Sequence, residues 1–163
     1  DGSLKSALLA YGFDVDPEAA IERMTNGEIE TLVLHEEGEL AAGLLLGKGW
    51  PTKLDGFSGK RAELLARAVR DNLADCLVTL PSLLQRGADD SLHFWFSTFD
   101  GLRRELFPQL VAAYEKLGAG EAAVLQEAAE AGSIHFAALG LRLLEMDEAD
   151  IAGLSHEPAS ISL

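Results

Sequence analysis

The segment His93-Phe94-Trp95-Phe96, followed by Phe99, is the densest set of chemically capable side chains in the sequence: one imidazole among large rings. Aromatic residues make up only 7% of the chain, so this concentration is informative. On a helix Phe96 and Phe99 share a face, Trp95 shares a neighbouring face with Phe99, and Leu92 lies near Phe96. Core packing is the commonest use of such rings. The other use is a pocket lined by His93, Trp95, Phe96 and Phe99, with His35 or His135 nearby, which would suit a small enzyme or ligand-binding domain.

The remaining motifs point away from local catalysis. His35, His93, His135 and His156 are widely spaced, with no H-x-x-x-H, no H-E-x-x-H and no cysteine pair, so no metal site and no cofactor are expected from spacing. His35-Glu36-Glu37 reads as a solvated turn. Gly56-Phe57-Ser58-Gly59-Lys60 fits neither a phosphate loop, which needs Gly at 54 and Ser or Thr at 61 where Leu54 and Arg61 stand, nor a nucleophile elbow, which needs Gly where Lys60 stands. Ser58 is therefore expected to cap a helix. No D-x-[DN]-x-[DN]-G calcium loop occurs. The catalytic set read from spacing is empty.

Charge is the stronger signal. The net charge is −14, and it is unevenly distributed: residues 1–58 carry 11 acids and 4 bases, residues 59–118 carry 8 of each, and residues 119–163 carry 8 acids and 1 base. Such a balance opposes direct binding to nucleic acid or anionic lipid, which relies on Lys and Arg. Asp14, Asp16, Glu18, Glu22, Glu36, Glu37 and Glu39 in the first part, with Glu127, Glu130, Asp147, Glu148 and Asp150 in the last, are candidates for a surface that engages a basic protein partner. Dispersed acids that serve solubility are the simpler account. Lys60, Arg61, Arg67 and Arg70 read as a solvated helix face or as internal partners for acids.

These groups must be carried by helices. Apolar residues are 48% of the chain, with Ala and Leu prominent, and 163 residues fit one domain with a core of its own. Ser3 to Tyr11 reads as a helix stopped by Gly12. Asp16-Pro17-Glu18 starts another, running to about Met24 with Ile21 inward. Thr25-Asn26-Gly27-Glu28 has the capping-box pattern of a further start. Residues 29–46 are two helices joined at Glu36-Glu37-Gly38-Glu39, or a short hairpin with its tip there; composition favours helices.

The stretch from Gly47 to Gly59 reads as a loop. A long helix then carries Leu64, Leu65, Ala68, Val69, Asn72, Leu73, Cys76, Leu77 and Leu80, kinked or restarted at Pro81 and ended at Gly87. Asp89, Asp90 and Ser91 start the aromatic helix. Leu102 to Leu117 follows, reset at Pro108 and stopped at Gly118. Glu121 to Ala131 ends at Gly132, and Ser133 starts the next helix. A last turn or two spans 147–154, and residues 155–163 form a loose tail. The expected fold is a single all-α domain over 1–163, a bundle of about eight or nine short helices around a long central one.

Cys76 is the only cysteine, which together with its apolar neighbours predicts a buried thiol and a cytoplasmic, reducing setting. The chain opens Asp1-Gly2-Ser3-Leu4-Lys5 with no signal-peptide pattern and no initiator Met, so a trimmed start is expected. The longest apolar stretch, Leu40 to Gly47, is far below the ~20 residues a spanning helix needs.

The order of features from Asp71 to Ala131 resembles the small acidic all-helical family that includes DNA-mimic proteins. The residues that carry it are Gly87, Phe94, Phe96, Asp100-Gly101, Ala112-Ala113 and Leu117-Gly118-Ala119. Where that family has Asn-Gly-Gly before its aromatics, this chain reads Gly87-Ala88-Asp89-Asp90. The resemblance implies an all-α fold and binding to a DNA-binding protein in place of DNA, and it brings no catalytic residues. The leading expectation is an acidic protein-binding domain, DNA-mimic-like or inhibitor-like. A ligand pocket around residues 93–99 and a homodimeric adaptor paired through the neutral central helices are the alternatives.

Overall fold

The residues at Asp16-Pro17 do what their types dictate. The Asp16 carboxylate accepts the backbone N–H of Ala19 at 3.1 Å, and Pro17 opens the helix where its missing N–H has no consequence. In the computed structural model, which describes residues 2–117 and 120–163, that helix does not stop at Met24. It continues as one 30-residue element.

The elements are α1 (Gly2–Tyr11), α2 (Pro17–Leu46), α3 (Gly49–Asp55), α4 (Lys60–Ala74), a π-helical turn (Asp75–Thr79), α5 (Leu80–Arg86), α6 (Asp89–Thr98), α7 (Gly101–Leu106), α8 (Pro108–Leu117), α9 (Ala122–Glu145), α10 (Glu148–Leu154) and a 3₁₀ turn (Pro158–Ser160). The protein is all-α, with no strand among the described residues. The expected stop at Gly118 lies outside those residues.

Two glycines explain why α2 and α9 run on where turn-like neighbours suggest a break. Gly38 is buried inside α2, where that helix crosses α4, and a Cβ there would lie 2.5 Å from the carbonyl oxygen of Ala74. Glu36-Glu37-Gly38-Glu39 is therefore a close helix contact, neither an inter-helix turn nor a hairpin tip. Gly132 plays the same part in α9, where a Cβ would meet Cys76 Sγ at 2.6 Å and the Phe107 ring. Nor does Thr25 cap a new helix. Its hydroxyl donates to the Ile21 carbonyl within α2.

The central helix carries a π turn just before Pro81. There Leu80 N–H bonds the Asp75 carbonyl, five residues back. The wider turn lets the chain pass a proline that has no N–H to offer and would crowd the preceding turn. α4 buries Leu65, Ala66, Val69 and Leu73, so the apolar stripe of the central helix is used within the fold, while Leu64 faces solvent.

Three further expectations are corrected. The region Gly47–Gly59 contains α3, whose Trp50 is buried. Gly59, not Ser58, is the N-cap of α4. The C-terminal tail is docked rather than loose: Ile161 is buried, its carbonyl accepts from His135 at 2.8 Å, and Leu163 makes backbone bonds to Leu106 and Gln109. Trp95, Phe96 and Phe99 are core residues, with Trp95 stacked on Phe99 and Phe96 stacked on Tyr114. No helix among the described residues is long and apolar enough to cross a membrane.

Candidate functional site

Asp75 is a carboxylate placed where the central helix needs an apolar residue, between Ala74 and Cys76 on a buried face, with its side chain only 2% exposed. A buried charge survives there only if paired. The π turn presents it to a histidine and an arginine. His35 on α2 bonds one carboxylate oxygen through Nδ1 at 2.9 Å, and Arg103 on α7 donates to the other. The Arg103 guanidinium also lies over the rings of Trp95, at 5.6 Å, and Phe99, at 5.4 Å.

Above this triad opens a cleft of about 340 Å³ between α2, α6 and α7, lined by Glu28, Thr31, Leu32, His35, Phe94, Trp95, Thr98 and Arg103. At its far end the Tyr11 hydroxyl donates to Glu28 at 2.5 Å and contacts Ser91 at 2.9 Å. The electrostatics follow from these contacts. His35 is held above its ordinary value chiefly by its bond to Asp75, against a smaller opposing effect of burial. Burial raises Glu28, more than the bonds from Tyr11 and Ser91 lower it. Burial also pushes the Cys76 thiol far up, so it is an inert core residue.

His35, Glu39 and Asp71 bring ligand-type atoms within 4.8 Å of one another. The cation position among them is already filled. Arg70 bonds Glu39 at 2.6 Å and Asp71 at 2.8 Å, and a metal ion would have to displace it.

The outer side of α2 is the second feature. Its buried face is made mostly of small residues, Ala20, Thr31, Gly38 and Ala42, which allow close approach to α4. Leu34 and Leu46 are its buried leucines, while six other large aliphatics point outward: Ile21, Ile29, Leu32, Val33, Leu40 and Leu44 are between 53% and 77% exposed. At about 100° per residue these six fall within about 140° of the helix circumference. Glu18, Glu22 and Glu36 lie within the same arc and Glu37 at its edge, all exposed, and none forms an ion pair among the described residues. The inward Ile21 expected from periodicity is thus reversed, because close helix packing selects small side chains for the interior.

The family model described as "Family of unknown function (DUF6866) C-terminal domain" matches residues 1–159. The chain belongs to that family. No curated protein and no solved structure matches it. For this member of the family, the cleft and the ridge of α2 are therefore read from geometry alone.

Of the acids singled out by sequence, Glu18, Glu22, Glu36 and Glu37 share the outer side of α2, and the others take separate roles. Asp16 and Asp147 cap their own helices, Asp147 accepting Asp150 N–H at 2.9 Å. Glu39 is paired with Arg70. Glu127, Glu130 and Asp150 are exposed on α9 and α10, Glu130 accepting from Gln126, and Asp14 is exposed between α1 and α2. The histidines stay apart: His93 bonds Tyr114 at 2.8 Å, His135 holds the tail, and His156 contacts Arg61. A second cleft, lined in part by His93, Phe96, Tyr114 and Ser6, lies on the opposite side of α6 from the one that holds Trp95 and His35. The four do not line one pocket: His93 and Phe96 line the second cleft and Trp95 the first, while the Trp95, Phe96 and Phe99 rings pack on one another in the core.

Glu148 has a structural role that sequence did not suggest. From the start of α10 it accepts the backbone N–H groups of Ser58 and Gly59, at 3.1 and 2.5 Å, and so caps α4 from elsewhere in the chain. Those two bonds hold its carboxyl below the ordinary value. A depressed carboxyl contributes stability above its ordinary value of 4.5 that is lost as pH falls through the lower folded value. Glu148→Gln is expected to lower the urea midpoint at neutral pH, with the gap to wild type closing in acid. A gap that persists unchanged at acid pH would show that the carboxylate form is not what matters.

Proposed function

We propose that the protein is an acidic protein-binding domain that receives an amphipathic, basic helix on the outer face of α2. The observation that carries this reading is the ridge itself, six large aliphatics exposed on one face and interleaved with unpaired carboxylates. A soluble domain rarely leaves so long an apolar strip uncovered unless something covers it. The carboxylates select the occupant. Glu18, Glu22, Glu36 and Glu37 favour Lys or Arg between the partner's apolar anchors, and like charges repel an acidic one.

A second copy of this chain suits the ridge poorly. An isologous pairing of α2 with itself would set the Glu18, Glu22, Glu36 and Glu37 carboxylates of one copy against the same acidic face of the other. Leucines between the acids also favour an amphipathic partner over close mimicry of a phosphate backbone, which is charged without interruption.

The test uses two labelled helical peptides of about 18 residues, one Leu/Lys and one Leu/Glu with the same apolar stripe. Fluorescence anisotropy is expected to show binding of the Leu/Lys peptide that weakens with salt, and about tenfold loss in the Leu40→Gln/Leu44→Gln variant. Changes at these exposed positions leave the core untouched. Equal binding of the Leu/Glu peptide, or no effect of the double substitution, overturns the proposal.

A further inference from the structure

The cleft between α2, α6 and α7 has an unbalanced set of free hydrogen-bonding groups. Its acceptors are engaged: both Asp75 oxygens are taken by His35 and Arg103, and Glu28 is held by Tyr11 and Ser91. Its hydroxyls are also committed, Thr31 donating to the Gly27 carbonyl and Thr98 to that of Trp95. The donors are not. Arg103 gives a single N–H to Asp75 out of the five it carries, and its Nε is buried without a partner.

That Nε is closed off from solvent, so the donors left for an occupant of the cleft are the remaining Nη hydrogens of the partly exposed guanidinium. Arg103 is also oriented. Its guanidinium is pinned by Asp75 on one side and by the Trp95 and Phe99 rings on the other, and its side chain, 27% exposed, lines the cleft. The walls beside it are Phe94, Trp95 and Leu32. A pre-set guanidinium with free N–H groups, next to aromatic and aliphatic surface, matches a carboxylate attached to a flat or apolar body. At about 340 Å³ the cleft is at the small end of ligand sites.

We propose that this cleft is a binding site for a small organic carboxylate, with the acid group on Arg103 and the apolar body against Trp95, Phe94 and Leu32. It is independent of the α2 docking surface, although Leu32 contributes to both.

The experiment is isothermal titration of the full chain with three near-isosteric probes: phenylacetate, phenylacetamide and phenethylamine. Phenylacetate is expected to bind at least about tenfold more tightly than the amide, and the amine not at all. Thr98→Trp, which fills the cleft from an exposed rim position, abolishes that binding. Arg103→Lys keeps a cation for Asp75 but removes the planar fork, and weakens it. Ser6→Trp, in the cleft on the other side of α6, leaves it unchanged. Equal binding of the three probes, phenylacetate binding that survives both cleft substitutions, or no binding up to about 10 mM (a millimolar dissociation constant is already weak) overturns the proposal.

Discussion

Asp75→Ala is expected to cost about 3–5 kcal/mol, the usual range when one member of a buried ion pair is removed and its partner left behind. The two cations concerned are His35 and Arg103, on different helices, so the loss loosens α2 and α7 together. Against a total stability of about 5–15 kcal/mol, this change removes a large fraction of the folding free energy. Chemical denaturation of wild type and variant measures it. A shift under about 1 kcal/mol would mean that water compensates the two partners and that the triad does not anchor α2 and α7.

The same triad sets a pH dependence. His35 has its folded value raised above 6.5, by Asp75 first, with Asp71 adding and Arg103 opposing; Glu39 and Arg70 lie beside it. A raised histidine contributes stability that is complete below 6.5 and fades as pH rises through the folded value. Thermal unfolding of wild type and His35→Gln between about pH 6 and 9 should therefore give a gap that narrows toward the alkaline end. Comparison with the variant cancels the contribution of Glu28, which is present in both proteins.

Gly38→Ala is the second large effect. The added carbon would sit 2.5 Å from a backbone oxygen of α4, and a backbone atom cannot swing away as a side chain can. Overpacking of this kind costs about 1–3 kcal/mol or more, and outweighs the gain of about 1 kcal/mol from better helix propensity. Gly43, five residues along the same helix, has nothing within 4 Å of its notional Cβ. Gly43→Ala is expected to stabilise by about 0.5–1 kcal/mol. Opposite signs for the two variants in denaturant melts would establish the α2–α4 crossing; a stabilising Gly38→Ala would refute it.

Much of the helical order was legible because its signals are local. Asp16-Pro17 begins a helix, Gly87 ends one with a left-handed residue, and Pro108 opens α8. The errors have a common physical origin. Gly38, Gly132 and the Thr25-Asn26-Gly27-Glu28 pattern look like boundaries from within the chain, yet all three glycines are contact points whose partners lie far away in sequence. The candidate sites were hidden for the same reason. The acids and the His93–Phe99 segment were visible as composition, whereas Asp75 and Arg103 carry no motif and Glu28 shows only the capping-box pattern. The one signal available was a charged residue, Asp75, at a position where the helix stripe is apolar.

What the sequence determined by itself is the all-α class, the acidic balance and the absence of a local catalytic or metal motif, because these rest on composition and on interactions within a turn or two of chain. Tertiary structure decided which side of α2 is inside. Most residues of its inner face are small, α4 coming within contact of the backbone at Gly38, and six large aliphatics and their glutamates are left facing out. It also decided that a lone aspartate in an apolar helix becomes the anchor of a cleft, since a buried charge takes its meaning from the cations that the fold brings to it.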